Sequence, residues 1–206
     1  MSAEHYFSST PSGDFKPHSV QVELAGERVS VVTSWGFFPP AGIDKGTAIL
    51  LAEAPEPQGP RVLDIGTGWG PLTLTLAKKL PGAEVIGVEV NSRSAELTRM
   101  NAEKLSLANV QVFAPDDVDP ALRFNTIWSN PPIRVGKDVL HGILRQWIPR
   151  LAPDGHAYLV VQKNLGSDSL QKWLVQDLQE SYPGEFEVSR YATSKGFRLI
   201  QVHRRA

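Results

Sequence analysis

Hydrophobic and polar residues follow one repeating pattern along most of the chain. From Arg61 onward, short runs of β-branched and other apolar residues alternate with longer segments that place apolar residues at helical spacing. This alternation is typical of repeated βαβ units, in which helices connect parallel strands and cover both faces of the sheet. The pattern predicts strands at 61–65, 84–90, 110–114, 124–129 and 156–162, and helices at 72–80, 93–105, 139–151 and 169–181.

The pattern near the end of the chain is that of a hairpin. Residues 185–192 and 197–203 alternate as strands do, and the connection at 193–196 contains Gly196, which can adopt a positive φ. The last strand of such a hairpin runs antiparallel to its neighbour. The whole pattern therefore predicts an α/β fold with a doubly wound, mostly parallel seven-stranded sheet and an antiparallel terminal strand.

Residues 1–60 differ from the repeating part and are predicted to form an extension that packs on a core at 61–206. Within the extension, 20–24 and 29–33 alternate as strands on either side of a short polar turn, which predicts a small hairpin. Residues 44–54 predict a helix whose first turn is capped by Asp44. Prolines between 55 and 60 then form a stiff connection into the first core strand.

Composition narrows the class of protein. A length of 206 residues with 41% hydrophobic residues suits one globular domain. Apolar runs fall well short of the ~20 residues of a membrane-spanning helix, and the start of the chain does not resemble an export signal. We therefore expect a cytoplasmic protein with no membrane partner. With no cysteine, and with five histidines that lack metal-binding spacing, no metal site is expected.

The glycine-rich segment after the first core strand is a candidate nucleoside site. Gly66 and Gly68 allow the backbone to approach a ligand closely, and a dinucleotide fingerprint fails because Pro71 replaces its third glycine. The spacing Asp-x-Gly-x-Gly-x-Gly instead resembles the first motif of S-adenosylmethionine-dependent methyltransferases. Asp64 at the strand end offers a carboxylate to the amino group of the methionine part. The predicted cofactor-binding residues in this segment are Asp64, Gly66, Thr67, Gly68 and Gly70.

Acidic residues follow the next two predicted strands. Glu89 stands where a carboxylate can accept hydrogen bonds from both hydroxyls of a ribose. Asp116 and Asp117 follow the third strand, and either can accept from the adenine amino group, with a slight preference for Asp116. Acids after successive strands, beside a glycine-rich loop, predict a shared cofactor site rather than unrelated surface residues.

The segment after the fourth predicted strand, Asn130-Pro131-Pro132, is a candidate catalytic motif. It resembles the fourth motif of methyltransferases that modify exocyclic amines of nucleobases or the amide of a protein glutamine. The lone pair of such a nitrogen is delocalised and must be directed at the methyl carbon. The side-chain oxygen of Asn130 and the carbonyl of Pro131 can both accept from the amine, and two prolines keep these acceptors in place. Asn130 is also predicted to bind the cofactor.

The resemblance extends over nearly the whole chain, to the catalytic domain of the small-subunit (16S) rRNA guanine-N2 methyltransferase family. It implies a class I methyltransferase with a Rossmann-like fold, S-adenosylmethionine as cofactor, guanine N2 in small-subunit rRNA as acceptor, and rRNA or the small ribosomal subunit as partner. Two alternatives stay open. One is the same reaction on a DNA amine, a protein glutamine or a small-molecule amine, and the other is a non-catalytic module that binds S-adenosylmethionine or RNA. The similar segments are 5–7, 42–47, the glycine-rich loop, 130–134 and 195–197.

Candidate substrate-binding residues surround the Asn-Pro-Pro motif. Ile133 stands where an aromatic residue often stacks on the target base, so Phe37 and Phe38 are the candidates for stacking. The net charge of -1 does not indicate general binding of nucleic acid, and any RNA contact requires a local basic patch. The predicted patch consists of Arg134, Lys137 and Lys163.

Overall fold

Strands and helices alternate along the chain as the hydrophobic pattern predicts. The computed structural model describes residues 16–34 and 42–206. The strands are β1 (Pro17–Leu24), β2 (Glu27–Ser34), β3 (Arg61–Ile65), β4 (Glu84–Val88), β5 (Val110–Phe113), β6 (Phe124–Ser129), β7 (Leu151–Gln162), β8 (Phe186–Ser194) and β9 (Phe197–Arg204). The helices are α1 (Lys45–Glu53), α2 (Pro71–Lys79), α3 (Ser92–Lys104), α4 (Lys137–Trp147) and α5 (Ser167–Ser181).

The central sheet has seven strands in the order β5-β4-β3-β6-β7-β9-β8. The pairs β3–β4, β4–β5, β3–β6 and β6–β7 are parallel, whereas β9 is antiparallel to both β7 and β8. The predicted doubly wound sheet with an antiparallel last strand is thus confirmed. The chain changes direction across the sheet between β3 and β6, and ligands of such sheets bind outside the carboxyl ends of the strands at that point.

Strand residues alternate between two apolar layers. Val62 of β3 and Trp128 of β6 pack on the face that α1 and α2 cover, whereas their neighbours Leu63 and Ile127 pack on the face of α4 and α5. All four side chains are almost completely buried. Burial of one such apolar side chain contributes roughly 1.5–3 kcal/mol, so both layers hold the sheet firmly.

The N-terminal hairpin of β1 and β2 packs against α2 and α3, where Val22, Leu24 and Val31 share an apolar cluster with Leu74 and Leu97. Its turn residues Ala25 and Gly26 both have positive φ, 52° and 79°, which suits a two-residue hairpin turn. Asn101 of α3 fastens β2, because its side chain accepts from the Val32 amide at 2.6 Å and donates to the Val32 carbonyl at 2.8 Å. The same amide group donates to the Trp69 carbonyl at 2.9 Å, which ties the hairpin to the glycine-rich loop.

The region between α4 and β7 differs from the prediction. Helix α4 ends at Trp147, and Ile148–Arg150 form a 3-10 turn, because Pro149 lacks the amide hydrogen that a continuing helix requires. Strand β7 begins at Leu151 instead of residue 156. A Cβ atom at Gly155 would lie 2.9 Å from the Phe124 carbonyl oxygen, so glycine lets β7 pass this close to β6.

Two further observations concern the described residues, 16–34 and 42–206. None of their helices has both the length and the apolar character needed to cross a membrane. Their His, Asp and Glu side chains form no group of three or more that could hold a metal ion.

Candidate active site

The loops after β3 and β6 begin side by side at the carboxyl edge of the sheet. Ile65 and Ser129, the last residues of the two strands, are partners in the parallel register. The Ser129 hydroxyl also donates to the Ile65 carbonyl at 2.8 Å. The glycine-rich loop and the Asn-Pro-Pro segment therefore start from adjacent, fixed positions.

The glycine-rich loop presents bare backbone to open space. Gly66 and Gly68 have positive φ, 83° and 58°, and a Cβ atom on either would meet no atom within 4 Å. Thr67 between them is buried, and its methyl group lies so close to Gly87 of β4 that a Cβ atom there would be 2.5 Å away. Gly70 is buried at the start of α2. The backbone of this loop, rather than its side chains, is what a ligand could contact.

Asp64 is a fully buried carboxylate, and only one of its two oxygens accepts hydrogen bonds from the described residues. Its Oδ2 accepts from the backbone amide of Thr73 at 3.0 Å and from the Thr73 hydroxyl at 2.6 Å, whereas Oδ1 has no partner among the described residues. Burial raises the pKa of Asp64 to about 7; the Thr73 hydrogen bonds oppose the rise, and the charge of nearby Glu89 adds to it. An unpartnered buried oxygen of this kind suits a cationic donor.

Glu89 is a buried carboxylate whose two oxygens each accept from a backbone amide. Oε2 accepts from Gly68 at 3.0 Å and Oε1 accepts from Asn91 at 2.9 Å. Burial raises the pKa of Glu89, and these hydrogen bonds act against the rise. Because each carboxylate oxygen has two lone pairs, Glu89 can still accept hydrogen bonds from a ligand.

The acids after β5 are in a different environment from Asp64 and Glu89. Asp116 and Asp117 belong to a 3-10 turn at Pro115–Asp117, and both are exposed. Their predicted role in binding the adenine amino group stays a prediction.

Asn130 is held by two residues that the sequence did not indicate as part of the site. Its Nδ2 atom donates to Oδ1 of Asp44 at 2.9 Å and to the hydroxyl of Thr47 at 3.1 Å. Asp44 was predicted only as the cap of α1, a role that it also has, since the same oxygen accepts from the amides of Gly46 and Thr47. The separation of 86 residues between Asn130 and Asp44 explains why no local signal could reveal the contact.

The residues around Asn130 divide into buried and exposed groups. Pro131 is buried, Pro132 is half-buried, and Ile133 packs partly against the hydrophobic layer of α4 and α5. Arg134, Lys137 and Lys163 are all exposed and follow β6 or β7 at the carboxyl edge. Phe37 and Phe38, the candidates for stacking on a base, lie outside the described residues.

Comparison with known proteins identifies the family. Residues 28–195 match the family model of the methyltransferase small domain. The chain belongs to this family. The class I methyltransferase predicted from the motifs is therefore confirmed, and with it S-adenosylmethionine as the cofactor of the family; the roles of individual site residues stay predictions.

Two sequence relatives and one solved structure illustrate the range of this family. The uncharacterized protein YbxB of Bacillus subtilis is 32% identical over 205 residues, which cover 97% of this chain and 98% of YbxB. Ribosomal RNA small subunit methyltransferase C of Pseudomonas syringae is 30% identical over 189 residues, covering 89% of this chain and 54% of that protein. The Thermus thermophilus 16S rRNA N2 G1207 methyltransferase, solved with AdoMet and guanosine, superposes with a TM-score of 0.73 at 26% identity, covering 95% of this chain and 52% of that one. This chain thus spans about half the length of the two rRNA methyltransferases.

Proposed function

We propose that this chain transfers the methyl group of S-adenosylmethionine to an exocyclic amine, the N2 atom of a guanine in small-subunit rRNA. The observation that carries the proposal is the register of β3 and β6, in which Ile65 pairs with Ser129. This register starts the glycine-rich loop and the Asn-Pro-Pro segment from adjacent positions. A methyl donor held by the first would lie beside an amine held by the second.

The residues of the first loop fit this cofactor. The unpartnered Oδ1 atom of Asp64 can accept from the ammonium group of the methionine part, which also compensates the cost of burying the carboxylate. Glu89 can accept from the ribose hydroxyls, and the open backbone at Gly66 and Gly68 leaves room for the nucleoside. S-adenosylmethionine supplies a methyl group on a positively charged sulfur, from which a nitrogen lone pair can displace it.

The residues of the second loop fit an amine acceptor. The Oδ1 atom of Asn130 and the carbonyl of Pro131 can each accept an N–H of the amine and direct the nitrogen lone pair toward the methyl carbon. As the new N–C bond forms, positive charge develops on the nitrogen, and both oxygens stabilise it. The proton then leaves to solvent after methyl transfer, so a strong base is not required.

Ribosomal RNA as the acceptor is supported by the relatives and by surface charge. Two of the similar proteins are rRNA methyltransferases by name, and one of them was solved with guanosine. Arg134, Lys137 and Lys163 project from the carboxyl edge, where they can contact phosphates on either side of the target base. An rRNA substrate also agrees with the expected cytoplasmic location.

The test is a methyl-transfer assay with three kinds of acceptor. The protein and labelled S-adenosylmethionine are mixed with naked 16S rRNA, with small ribosomal subunits from cells that lack the gene, or with a peptide-chain release factor. Digestion of the RNA and mass spectrometry of the nucleosides identify the product, and N2-methylguanosine is expected. Calorimetry on the same sample should give a dissociation constant for S-adenosylmethionine in the low micromolar range, about 8 kcal/mol of binding free energy.

Other outcomes would each replace one part of the proposal. Methylation of a glutamine in the release factor, with no transfer to RNA, would assign the glutamine class of acceptor. Cofactor binding without transfer to any of the three acceptors would favour a non-catalytic binding module.

A further inference from the structure

We propose that Asp44 and Thr47 are positioning residues that fix the amide of Asn130 in the one orientation that leaves its oxygen available to the acceptor amine. This inference rests on the proposed function, since it names residues that act through Asn130. Its basis is the pair of hydrogen bonds from Nδ2 of Asn130 to Asp44 and Thr47. We call these three residues the amide clamp.

The partners of Nδ2 define which way the amide faces. Oδ1 of Asp44 already accepts from the amides of Gly46 and Thr47, so it meets Asn130 as an acceptor, selects the nitrogen side of its amide and repels its oxygen. The Thr47 hydroxyl accepts from the same nitrogen. The two protons of Nδ2 are then both used, and Oδ1 of Asn130 is the part of the amide that remains for another donor. An amine N–H is a donor of this kind.

The clamp is rigid because its parts belong to a helix start. Oδ1 of Asp44 also accepts from the amides of Gly46 and Thr47, at 2.9 and 3.2 Å, so the first turn of α1 fixes the carboxylate. Gly46 and Thr47 are buried, and Ile49 and Leu50 of α1 pack on the sheet. The position of Asn130 is thereby set from two sides, by the end of β6 and by the start of α1.

Gly46 allows the amide to lie against the helix. A Cβ atom at this position would be 3.1 Å from Oδ1 and 3.2 Å from Nδ2 of Asn130, closer than ordinary van der Waals contact. The absence of a side chain at Gly46 thus gives the clamp its space, independently of the hydrogen bonds.

Four variants separate the clamp from the stability of the helix. Asp44→Ser keeps a good helix cap, but the shorter serine side chain places its oxygen farther from Asn130. Asp44→Asn keeps both the shape of the side chain and an oxygen acceptor. Thr47→Val removes the second acceptor at nearly constant volume. Thr126→Val is the matched control, because Thr126 lies at the other end of β6 and its hydroxyl bonds only the backbone of Gln58 among the described residues.

The expected result is a loss of kcat with no change in cofactor affinity. Asp44→Ser and Thr47→Val should each lower kcat for methyl transfer to the RNA substrate by roughly tenfold, as for loss of one aimed hydrogen bond. Asp44→Asn should recover most of the loss seen in Asp44→Ser, and Thr126→Val should transfer at the wild-type rate. In an Asn130→Ala background, Asp44→Ser should have no further effect on kcat.

A second measurement does not depend on activity. In ¹⁵N-edited NMR spectra, the two side-chain amide protons of Asn130 should exchange slowly with water and have chemical shifts displaced from those of a solvent-exposed asparagine. Both features should be lost in the Asp44→Ser, Thr47→Val double variant and kept in Thr126→Val. Unchanged shifts and exchange rates in the double variant would overturn the clamp, even if no acceptor had been methylated.

The outcomes also distinguish this inference from the proposed function. If Asn130→Ala abolished transfer while the double variant retained it, the clamp would be wrong and the proposed function would stand. If Asn130→Ala transferred methyl groups at the wild-type rate, the amine-holding mechanism itself would be wrong.

Discussion

The two sides of the carboxyl edge are held in different ways. On the cofactor side, the buried carboxylates of Asp64 and Glu89 accept from the backbone amides of Thr73, Gly68 and Asn91, at sequence separations of 9, 21 and 2 residues. On the acceptor side, Asn130 is held by the side chains of Asp44, which caps α1, and Thr47 in its first turn, 86 and 83 residues away. The first arrangement is local to the βαβ unit, and the second depends on the packing of α1 against the sheet.

The difference implies that binding and transfer can be separated by mutation. Backbone amides remain when a side chain is replaced, so the cofactor side should lose affinity mainly when a carboxylate or the Thr73 hydroxyl that donates to Asp64 is changed. The acceptor side depends on a few side-chain hydrogen bonds, and a single substitution can misdirect Asn130 while the cofactor loops stay intact.

The largest effect is expected for Asn130→Ala. Loss of an acceptor that acts mainly in the transition state typically lowers the rate about a hundredfold or more, so transfer should nearly disappear. The dissociation constant of S-adenosylmethionine, measured by calorimetry, should stay nearly unchanged. A parallel loss of cofactor affinity would show that the two sides are not separable.

Glu89→Ala should have the reverse effect. Removal of hydrogen bonds to a charged group should weaken cofactor binding by about 1–3 kcal/mol. The variant also loses the hydrogen bonds by which Glu89 holds the backbone amides of Gly68 and Asn91, and any resulting change in these loops adds to the loss. Glu84→Ala is the control, because Glu84 lies at the other end of β4 in a half-exposed ion pair with Arg61. Calorimetry should give near wild-type affinity for the control, and equal losses in both variants would contradict the assignment of Glu89.

Gly46→Ala should lower activity without lowering stability. The added methyl group would push on the Asn130 amide and misalign it, so kcat should fall by about tenfold. A tenfold loss corresponds to a rise of roughly 1.4 kcal/mol in the activation free energy. Alanine favours helices, which offsets the strain of the close contacts with Asn130 and Asp44, so the melting temperature should change little. Gly142→Ala in α4 is matched, since its Cβ atom would meet nothing within 4 Å; it should gain about 0.5–1 kcal/mol of stability and keep full activity.

The smallest expected effect is the pH dependence of cofactor binding. Burial raises the pKa of Asp64 to about 7, so the carboxylate that pairs with the ammonium group is lost by protonation as the pH falls through this value. Affinity should be roughly threefold weaker at pH 6.5 than at pH 7.5, from the ratio of ionised fractions. Titration calorimetry at the two pH values measures the change, which should be absent in Asp64→Asn.

The same pKa shift has the opposite consequence for the cofactor-free protein. The folded state keeps the Asp64 proton between about pH 4 and 7, where the unfolded state has released it. The free energy of unfolding should therefore fall as the pH rises through this range. A contribution of Asp64 that increased with pH would show that its carboxylate is already paired with a cation before the cofactor binds.

How well the sequence predicts a structural feature depends on how far apart along the chain the interacting residues lie. The bounds of β3 and β6 and the capping of α1 by Asp44 are set by local patterns, and the sequence predicts them correctly. The early start of β7 could not be predicted, because Leu151 is paired with Phe124 of β6 across an irregularity in the register, and Pro153 and Gly155 in that irregular stretch look like turn residues. The hydrogen-bond partners of Asn130 could not be predicted either, because a hydrogen bond between side chains that are distant in the sequence leaves no periodic signal.

The position of β9 has a consequence for the order of assembly. It is the last of the described strands along the chain, yet it lies inside the sheet between β7 and β8. During synthesis, β8 emerges before the strand that is its neighbour in the sheet, and β7 has one unpaired edge until β9 arrives. The backbone hydrogen-bonding groups along one edge of β7 and one edge of β8 are therefore unpaired until the eight residues of β9 have been synthesised. A ribosome that releases the chain before residue 197 would leave both edges open to pairing with other chains.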